Sequence, residues 1–319
     1  MEGHLVGKSS SSKAETKASF TSALTLTQSG LPHVPQRYVL PPSQRPNPSS
    51  SRLSTTLPIV DLSSLQSPSL RPQIINNIRM ASKEIGFFQV VNHGIPSSVM
   101  EGALSAAKEF FNLPLEEKML LGSDSVHAPV REKMGNYAKA VQVLQEQIME
   151  LVIESLGLNP KYLQEEVESG SQLVAVNCYP ACPEPELALG MPPHSDYGSI
   201  TILLQSCPGL QVKDQNSNWQ SVPAIEGALL VQLGDQMEVL SNGHYKSVLH
   251  RATVSAEKTR LSIASLHSLS LDKKVGPAPM LVDKQHPESY KEFSFRDFLD
   301  FIANNDIVKG RFIDTLKQN

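Results

Sequence analysis

The chain carries only three cysteines, Cys178, Cys182 and Cys207, in 319 residues. So low and odd a count excludes a disulfide framework and fits a reducing compartment. Cys178 and Cys182 have half of a zinc-knuckle pattern, but no second Cys/His pair stands at finger spacing. Small buried residues are the plainer reading. No run of about 18 uncharged apolar residues occurs, so no helical membrane span is expected. A basic flank followed by an apolar segment is missing from the N-terminus, which argues against a secretory signal. The Ser/Thr-rich start faintly resembles a plastid transit peptide, but its acidic residues and lack of early arginines favour the cytoplasm. A basic excess is absent too. The 28 Lys+Arg against 32 Asp+Glu leave a net charge of −4, whereas nucleic-acid binding needs a clustered cationic surface. The expectation is therefore a soluble, cytoplasmic monomer without nucleic-acid or membrane partners.

What is present suffices for a sizeable core, since 40% of the residues are hydrophobic. Residues 1–56 are rich in Ser, Thr and Pro and are expected to form a disordered arm, with one short helix near Thr21–Leu31. Helical periodicity over 68–84 buries Leu70, Ile74, Ile75, Ile78 and Ala81 on one side, and Gly86 stops that helix. The run Phe87-Phe88-Gln89-Val90-Val91 is a strand without a wet face. Helices are expected over 97–111, over Leu115–Leu121 and, long and amphipathic, over Glu132–Leu156. From Leu173 onward the texture changes to short β-rich runs: Leu173–Asn177, Ile200–Leu204, Gly209–Lys213, Trp219–Val222, Ala228–Leu233, Ser247–Leu249 and Leu261–Leu266. Such spacing indicates a sandwich or barrel. Ser294 with Asp297 resembles a capping box opening a last helix.

The chemistry-bearing residues cluster in the β part. Pro193-His194-Ser195-Asp196 places His194 and Asp196 at i and i+2, on one side of an extended backbone. His250 follows much later, in Ser247-Val248-Leu249-His250-Arg251. Two histidines and a carboxylate can occupy one face of an octahedral metal and leave three positions open. Alone, a His-x-Asp triplet is weak, because most such histidines are ordinary hydrogen-bonded residues. The strand Arg260-Leu261-Ser262-Ile263-Ala264 raises the odds. Arg260 and Ser262 share a face, and a guanidinium in a half-buried strand is costly unless it meets an anion. Its planar fork matches a carboxylate; a buried ion pair or a snorkelling edge arginine is the competing reading. A metal triad followed by a carboxylate clamp suits a 2-oxo dicarboxylate, chelating at one end and clamped at the other.

These residues lead to a family resemblance. Asn177-Cys178-Tyr179-Pro180-Ala181-Cys182-Pro183, His194-Ser195-Asp196, Gly209-Leu210-Gln211-Val212, Gly234-Asp235 and Leu240-Ser241-Asn242-Gly243 with Tyr245–Arg251 resemble the plant Fe(II)/2-oxoglutarate-dependent dioxygenases. So does Gly86–Ile95 in the N-terminal half. The likeness runs from about residue 57 to the C-terminus and is nearest to the flavanone 3-hydroxylase-like and downy-mildew-resistance-type oxygenases. It implies a mostly β fold with flanking helices: a double-stranded β-helix (jelly-roll) core at 161–319, closed by a C-terminal helix, after a shortened helical domain at 57–160. It assigns His194, Asp196 and His250 to Fe(2+), Arg260 and Ser262 to the distal carboxylate of 2-oxoglutarate, and Asn177 and Tyr179 to further cosubstrate contacts. Ascorbate is a candidate reductant. No catalytic side chain is implied beyond the metal site; His93 and the Gly234-Asp235 turn are expected to be structural. The implied reaction hydroxylates or desaturates a small aromatic plant metabolite, a flavonoid or phenolic, with O2 consumed and succinate and CO2 released. Tyr290, Phe293, Phe295 and Phe298 are expected either to pack over an aromatic substrate or to join helix to barrel.

One departure from the family pattern stands out. Val126-His127-Ala128-Pro129-Val130 runs almost directly into Arg131-Glu132-Lys133-Met134, where the family carries a segment with a Trp-Arg-Asp-type motif and aromatic residues. An internal segment is expected to be missing near residues 130–131. The single tryptophan, Trp219, agrees with that loss. Two competing readings follow: a catalytically impaired isoform that binds metal and 2-oxoglutarate without productive turnover, and a jelly-roll binding protein without redox chemistry. Arg260-x-Ser262 argues against the latter.

Overall fold

The computed structural model describes residues 22–46, 57–120, 128–305 and 310–318. Ten strands build two sheets: β1 (Ile59–Asp61), β2 (Phe87–Val91), β3 (Ser171–Tyr179), β4 (Met191–His194), β5 (Ile200–Gln205), β6 (Leu210–Lys213), β7 (Trp219–Ser221), β8 (Leu229–Leu233), β9 (His250–Ala252) and β10 (Arg260–Ser268). Six form one sheet in the order β1-β2-β8-β5-β10-β3, and four form the other in the order β4-β9-β6-β7. From β3 to β10 the chain steps back and forth between the sheets, the connectivity of the expected jelly roll.

Strand alternation sorts side chains into two cores. On β5, Ile200, Ile202 and Leu204 face a helical layer, whereas Leu203 points between the sheets with Phe87, Leu230, Leu210 and Val212. Thr201 and Gln205 share Leu203's face by the period of two. The helical layer is α2 (Arg71–Glu84), α3 (Ser97–Asn112) and α5 (Ala128–Ser155), with α4 (Leu115–Leu120) between the last two. Its apolar stripes, including Ile74, Ile78, Ala103, Val141, Ile148 and Val152, seal one face of the six-stranded sheet. β1 pairs with β2, and β2 with β8. The region expected as the helical domain, 57–160, thus contributes β1 and β2 to the common sheet. Gly86 ends α2 at φ 72°, and a side chain there would collide with the Lys246 carbonyl.

Several expectations are corrected. The short helix expected near Thr21–Leu31 is present as α1 (Ala23–Gln28), but the arm that carries it, expected to be disordered over 1–56, is attached to the barrel within its described residues. It is docked by Thr27 Oγ1 to the Ala181 carbonyl at 3.2 Å, by Val34 N to Glu184 Oε2 at 2.8 Å and by Leu40 N to the Leu187 carbonyl at 2.9 Å. Ser247–Leu249 is not a strand. The Ser247 backbone is bonded by side chains, its N donating to Glu238 Oε2 and its carbonyl accepting from Arg311, and the Leu249 carbonyl accepts from Lys213 N at 2.8 Å. Gly234-Asp235 is the start of a buried helix, α7 (Asp235–Leu240), rather than a simple turn. Asp196 does not share a strand with His194, which ends β4. The expected join near residues 130–131 borders 121–127, which lie outside the described residues. After α6 (Gln164–Glu168) and the barrel, α8 (Phe295–Asn304) closes the fold with the expected capping box of Ser294 and Asp297. Among the described residues no helix is long and apolar enough to cross a membrane.

Candidate metal centre

β4 and β9 are neighbours in the four-stranded sheet, and their register sets His194 directly opposite His250. The ring centroids are 4.1 Å apart. The turn after β4 then swings Asp196 back toward both rings. Asp196 Oδ1 is 3.7 Å from His194 Nε2 and 3.5 Å from His250 Nε2. One ligand atom from each of the three lies within 4.8 Å of the others. Cis donors on an octahedral ion with bonds of about 2.1 Å sit about 3 Å apart, so this set is slightly wider than a loaded site and closes on an ion with small movements.

The surroundings orient the donors. His194 Nδ1 lies 2.9 Å from the Pro192 carbonyl, and His250 Nδ1 lies 3.4 Å from the Val248 carbonyl. Both contacts favour the Nδ1–H tautomer and leave the Nε2 lone pair free. Burial pushes the His250 imidazole below its ordinary value, against the pull of Asp196. It is therefore neutral at pH 7, as a metal ligand must be. Asp196 Oδ2 accepts from Gln232 Nε2, which holds the other carboxylate oxygen toward the histidines. The Phe87 ring packs edge-on against His250 at 5.6 Å. Gln232 Oε1 and Thr201 Oγ1, side by side in the β5/β8 register, are buried without a hydrogen-bond partner among the described residues. Two histidines, one carboxylate and a polar, buried flank fit a ferrous ion.

The four expected cosubstrate residues come together on the adjoining sheet. In the β10/β3 register Arg260 stands opposite Tyr179, and Ser262 opposite Asn177. All four share the inward face. Arg260 is 4% exposed. Its Nε donates to the Cys207 carbonyl at 3.2 Å and its Nη2 to Gln205 Oε1 at 3.0 Å, with the Tyr179 ring 5.1 Å from the guanidinium carbon. Burial lowers its pKa, and no described carboxylate compensates the charge. Gly209, at φ +153°, makes room: a Cβ there would come within 2.6 Å of Arg260 Cδ. A buried guanidinium held only by neutral acceptors has the charge to take an anionic partner.

Other expectations resolve as packing. Phe295 and Phe298 stack on Tyr197 at 4.3 and 4.4 Å, so they join α8 to the residue after Asp196. Phe293 is buried and Tyr290 bonds Glu238. His93 accepts from Ile95 N and bonds the Gly227 carbonyl; His267 is buried beside Ser265. The three cysteines are free. Sequence reasoning missed Gln232 and Gln205. Gln232 is the lone polar residue in the apolar strand Leu229–Leu233, and that interruption is a usable signal; Gln205 ends the largely apolar Ile200–Gln205. It missed Arg311 as well, for which no local pattern exists.

Comparisons agree with this geometry. Residues 170–268 match the family model described as the 2OG-Fe(II) oxygenase superfamily, and residues 57–154 match the one described as non-haem dioxygenase in morphine synthesis N-terminal. A rice protein named flavanone 3-dioxygenase 3 is 39% identical over 326 aligned positions, covering 89% of this chain and 98% of the relative. Since 89% of 319 residues is about 284, about 42 of those positions have no residue in this chain. A second rice protein, named 2-oxoglutarate-dependent dioxygenase 21, chloroplastic, is 41% identical, covering 87% of this chain and 93% of the relative. The crystal structure of JOX2 in complex with 2OG, Fe and JA superposes with a TM-score of 0.79 at 32% identity, covering 89% of this chain and 93% of that one.

Proposed function

The chain belongs to the 2OG-Fe(II) oxygenase superfamily, and from that premise we propose that it hydroxylates or desaturates a small aromatic plant metabolite of flavonoid or phenolic type, releasing succinate and CO2. It is a 2-oxoglutarate-dependent dioxygenase that uses Fe(II), 2-oxoglutarate and O2. His194, Asp196 and His250 are the proposed iron ligands. Arg260 and Ser262 take the distal carboxylate of the cosubstrate, and Asn177 and Tyr179 line its flank. The bound iron supplies the oxygen activation and the oxidising power. The protein's part is placement. Arg260 neutralises one end of the diacid and fixes its distance from the triad. Gln232 holds the outer oxygen of Asp196, and the Pro192 and Val248 carbonyls hold the two imidazoles in the ligating tautomer. The apolar wall of Phe87, Leu203 and Leu230 keeps water from the interior.

The observation that carries this reading is the buried, carboxylate-free Arg260, aligned with Ser262, Asn177 and Tyr179 on the inward face of the barrel. The aromatic substrate is supported by the relative named flavanone 3-dioxygenase 3. A cytoplasmic monomer is part of the proposal, as is a shortened helical region at 57–160 ahead of the barrel. The experiment is a flavanone and phenolic panel with Fe(II), 2-oxoglutarate and O2, read as oxidised product and succinate. Matched formation of both supports the reading, and succinate that no panel member raises above background contradicts it. A second reading, binding without turnover, is favoured by the roughly 42 unmatched positions of the rice relative and by the 34% exposure of the His194 side chain. It predicts cosubstrate binding with no substrate-dependent succinate.

A further inference from the structure

The C-terminal segment reaches the ligand turn through one arginine. Arg311 Nε donates to Ser195 Oγ at 3.1 Å, and Ser195 is the residue between His194 and Asp196. Arg311 Nη2 donates to the Ser247 carbonyl at 2.9 Å, on the approach to His250. The same nitrogen is 3.5 Å from Asp235 Oδ1. Asp235, 2% exposed, repeats the pattern from the other side. Its Oδ1 accepts from Ser247 Oγ at 2.6 Å, its Oδ2 from Ser195 Oγ at 3.4 Å, and its backbone N donates to the Asp196 carbonyl at 2.8 Å. Two distant stretches of chain carry the three donors, and this ion pair touches both. The segment that holds Arg311 is itself anchored. Phe312, Ile313 and Leu316 are buried, Lys291 N donates to the Leu316 carbonyl, and Phe298 and Phe301 pack on Phe312.

We propose that Arg311, clamped on Asp235, is a positioning residue that fixes the Ser195 turn against the Ser247–His250 approach and so sets the affinity and geometry of the ferrous site. The proposal rests on the iron reading of the triad. Barrel strands alone leave this placement loose: Asp196 lies after the end of β4, and Ser247 lies before the start of β9, its backbone held by the Glu238 and Arg311 side chains. A guanidinium is suited to the task because its rigid fork reaches Ser195, Ser247 and Asp235 at once, where an ammonium is a single point donor. Partners of this kind that orient metal ligands typically alter metal affinity by about 10–100-fold when removed.

The test uses the full chain under anaerobic conditions. Fe(II) affinity, the charge-transfer absorption of the Fe(II)–2-oxoglutarate complex and the thermal midpoint are compared in wild type, Arg311→Ala, Arg311→Lys and Ser195→Ala. Arg296→Ala, which breaks the exposed pair with Asp272, serves as the control. The expected result is Fe(II) binding weakened about 10–100-fold in Arg311→Ala, with a shifted absorption band at saturating iron. Arg311→Lys should recover part of the affinity, and Arg296→Ala should match wild type. Ser195→Ala removes the bridge to the ligand turn while leaving both members of the Arg311–Asp235 pair in place, and it should weaken iron several-fold even if Arg311→Ala does not fold. Iron affinity and band position within twofold of wild type in a folded Arg311→Ala or in Ser195→Ala would overturn the proposal. Failure of the wild type to bind Fe(II) would overturn the iron reading instead.

Discussion

Replacing Arg260 with methionine should move two properties in opposite directions. The guanidinium is buried, held by the Cys207 carbonyl and Gln205 Oε1, and faces no described carboxylate. Without cosubstrate it is an imperfectly compensated buried charge. Exchanging such charges for apolar groups of similar volume is neutral or stabilising by about 1–4 kcal/mol. The two acceptors left behind offset part of that gain, so apo Arg260→Met should be between equal and about 2 kcal/mol more stable than wild type. Binding should move the other way. Hydrogen bonds to charged groups contribute about 1.5–3 kcal/mol each. Loss of a two-bond clamp is then about 3–6 kcal/mol, or at least about a hundredfold in 2-oxoglutarate affinity at about 1.4 kcal/mol per decade. Isothermal titration of 2-oxoglutarate with iron saturated, beside denaturant unfolding of the apo protein, reads both. The reasoning fails if Arg260→Met binds 2-oxoglutarate within a few-fold of wild type, or if the apo variant loses 3 kcal/mol or more. Either result makes Arg260 a structural residue.

Three further outcomes are expected. Gln232→Leu frees the Asp196 Oδ2 partner and should weaken Fe(II) by about 10–100-fold, measured by anaerobic titration. His267 is pushed from 6.5 down to about 4 by burial, so the unfolded chain takes up its proton first as pH falls. Its contribution is intact above pH 6.5 and drains away toward pH 4, and wild type should lose about 2 kcal/mol relative to His267→Gln between pH 7 and 4.5, read by denaturant unfolding at each pH. Ser294→Ala removes the cap of α8 and should lower stability by about 1 kcal/mol, checked by the same method.

Much of the site was legible because strand alternation is a local code. The spacing of Arg260 and Ser262 fixed their common face, and the register with β3 then placed Tyr179 and Asn177 opposite them. The meeting of His194 with His250 is a long-range pairing, which family resemblance supplied and spacing alone did not. The failures have two causes. Ser247–Leu249 has strand composition, but the Glu238 and Arg311 side chains take the backbone bonds of Ser247. Gly234-Asp235 has turn composition, but burial of Met237, Val239 and Leu240 extends it into a helix. The arm has disorder-prone composition, but Glu184 and the Ala181 and Leu187 carbonyls give its polar groups partners. In the first and the last case, residues from other parts of the chain supplied what local pattern could not; in the second, burial of the helix did.

The most direct measurement is an anaerobic titration of the wild-type chain with Fe(II) and 2-oxoglutarate, followed by visible absorption. A charge-transfer band that saturates at one ion and one cosubstrate per chain, and that is lost in His250→Ala, is the expected result. No band at saturating iron and 2-oxoglutarate, or an unchanged band in His250→Ala, would contradict the assignment of His194, Asp196 and His250 as the ferrous site.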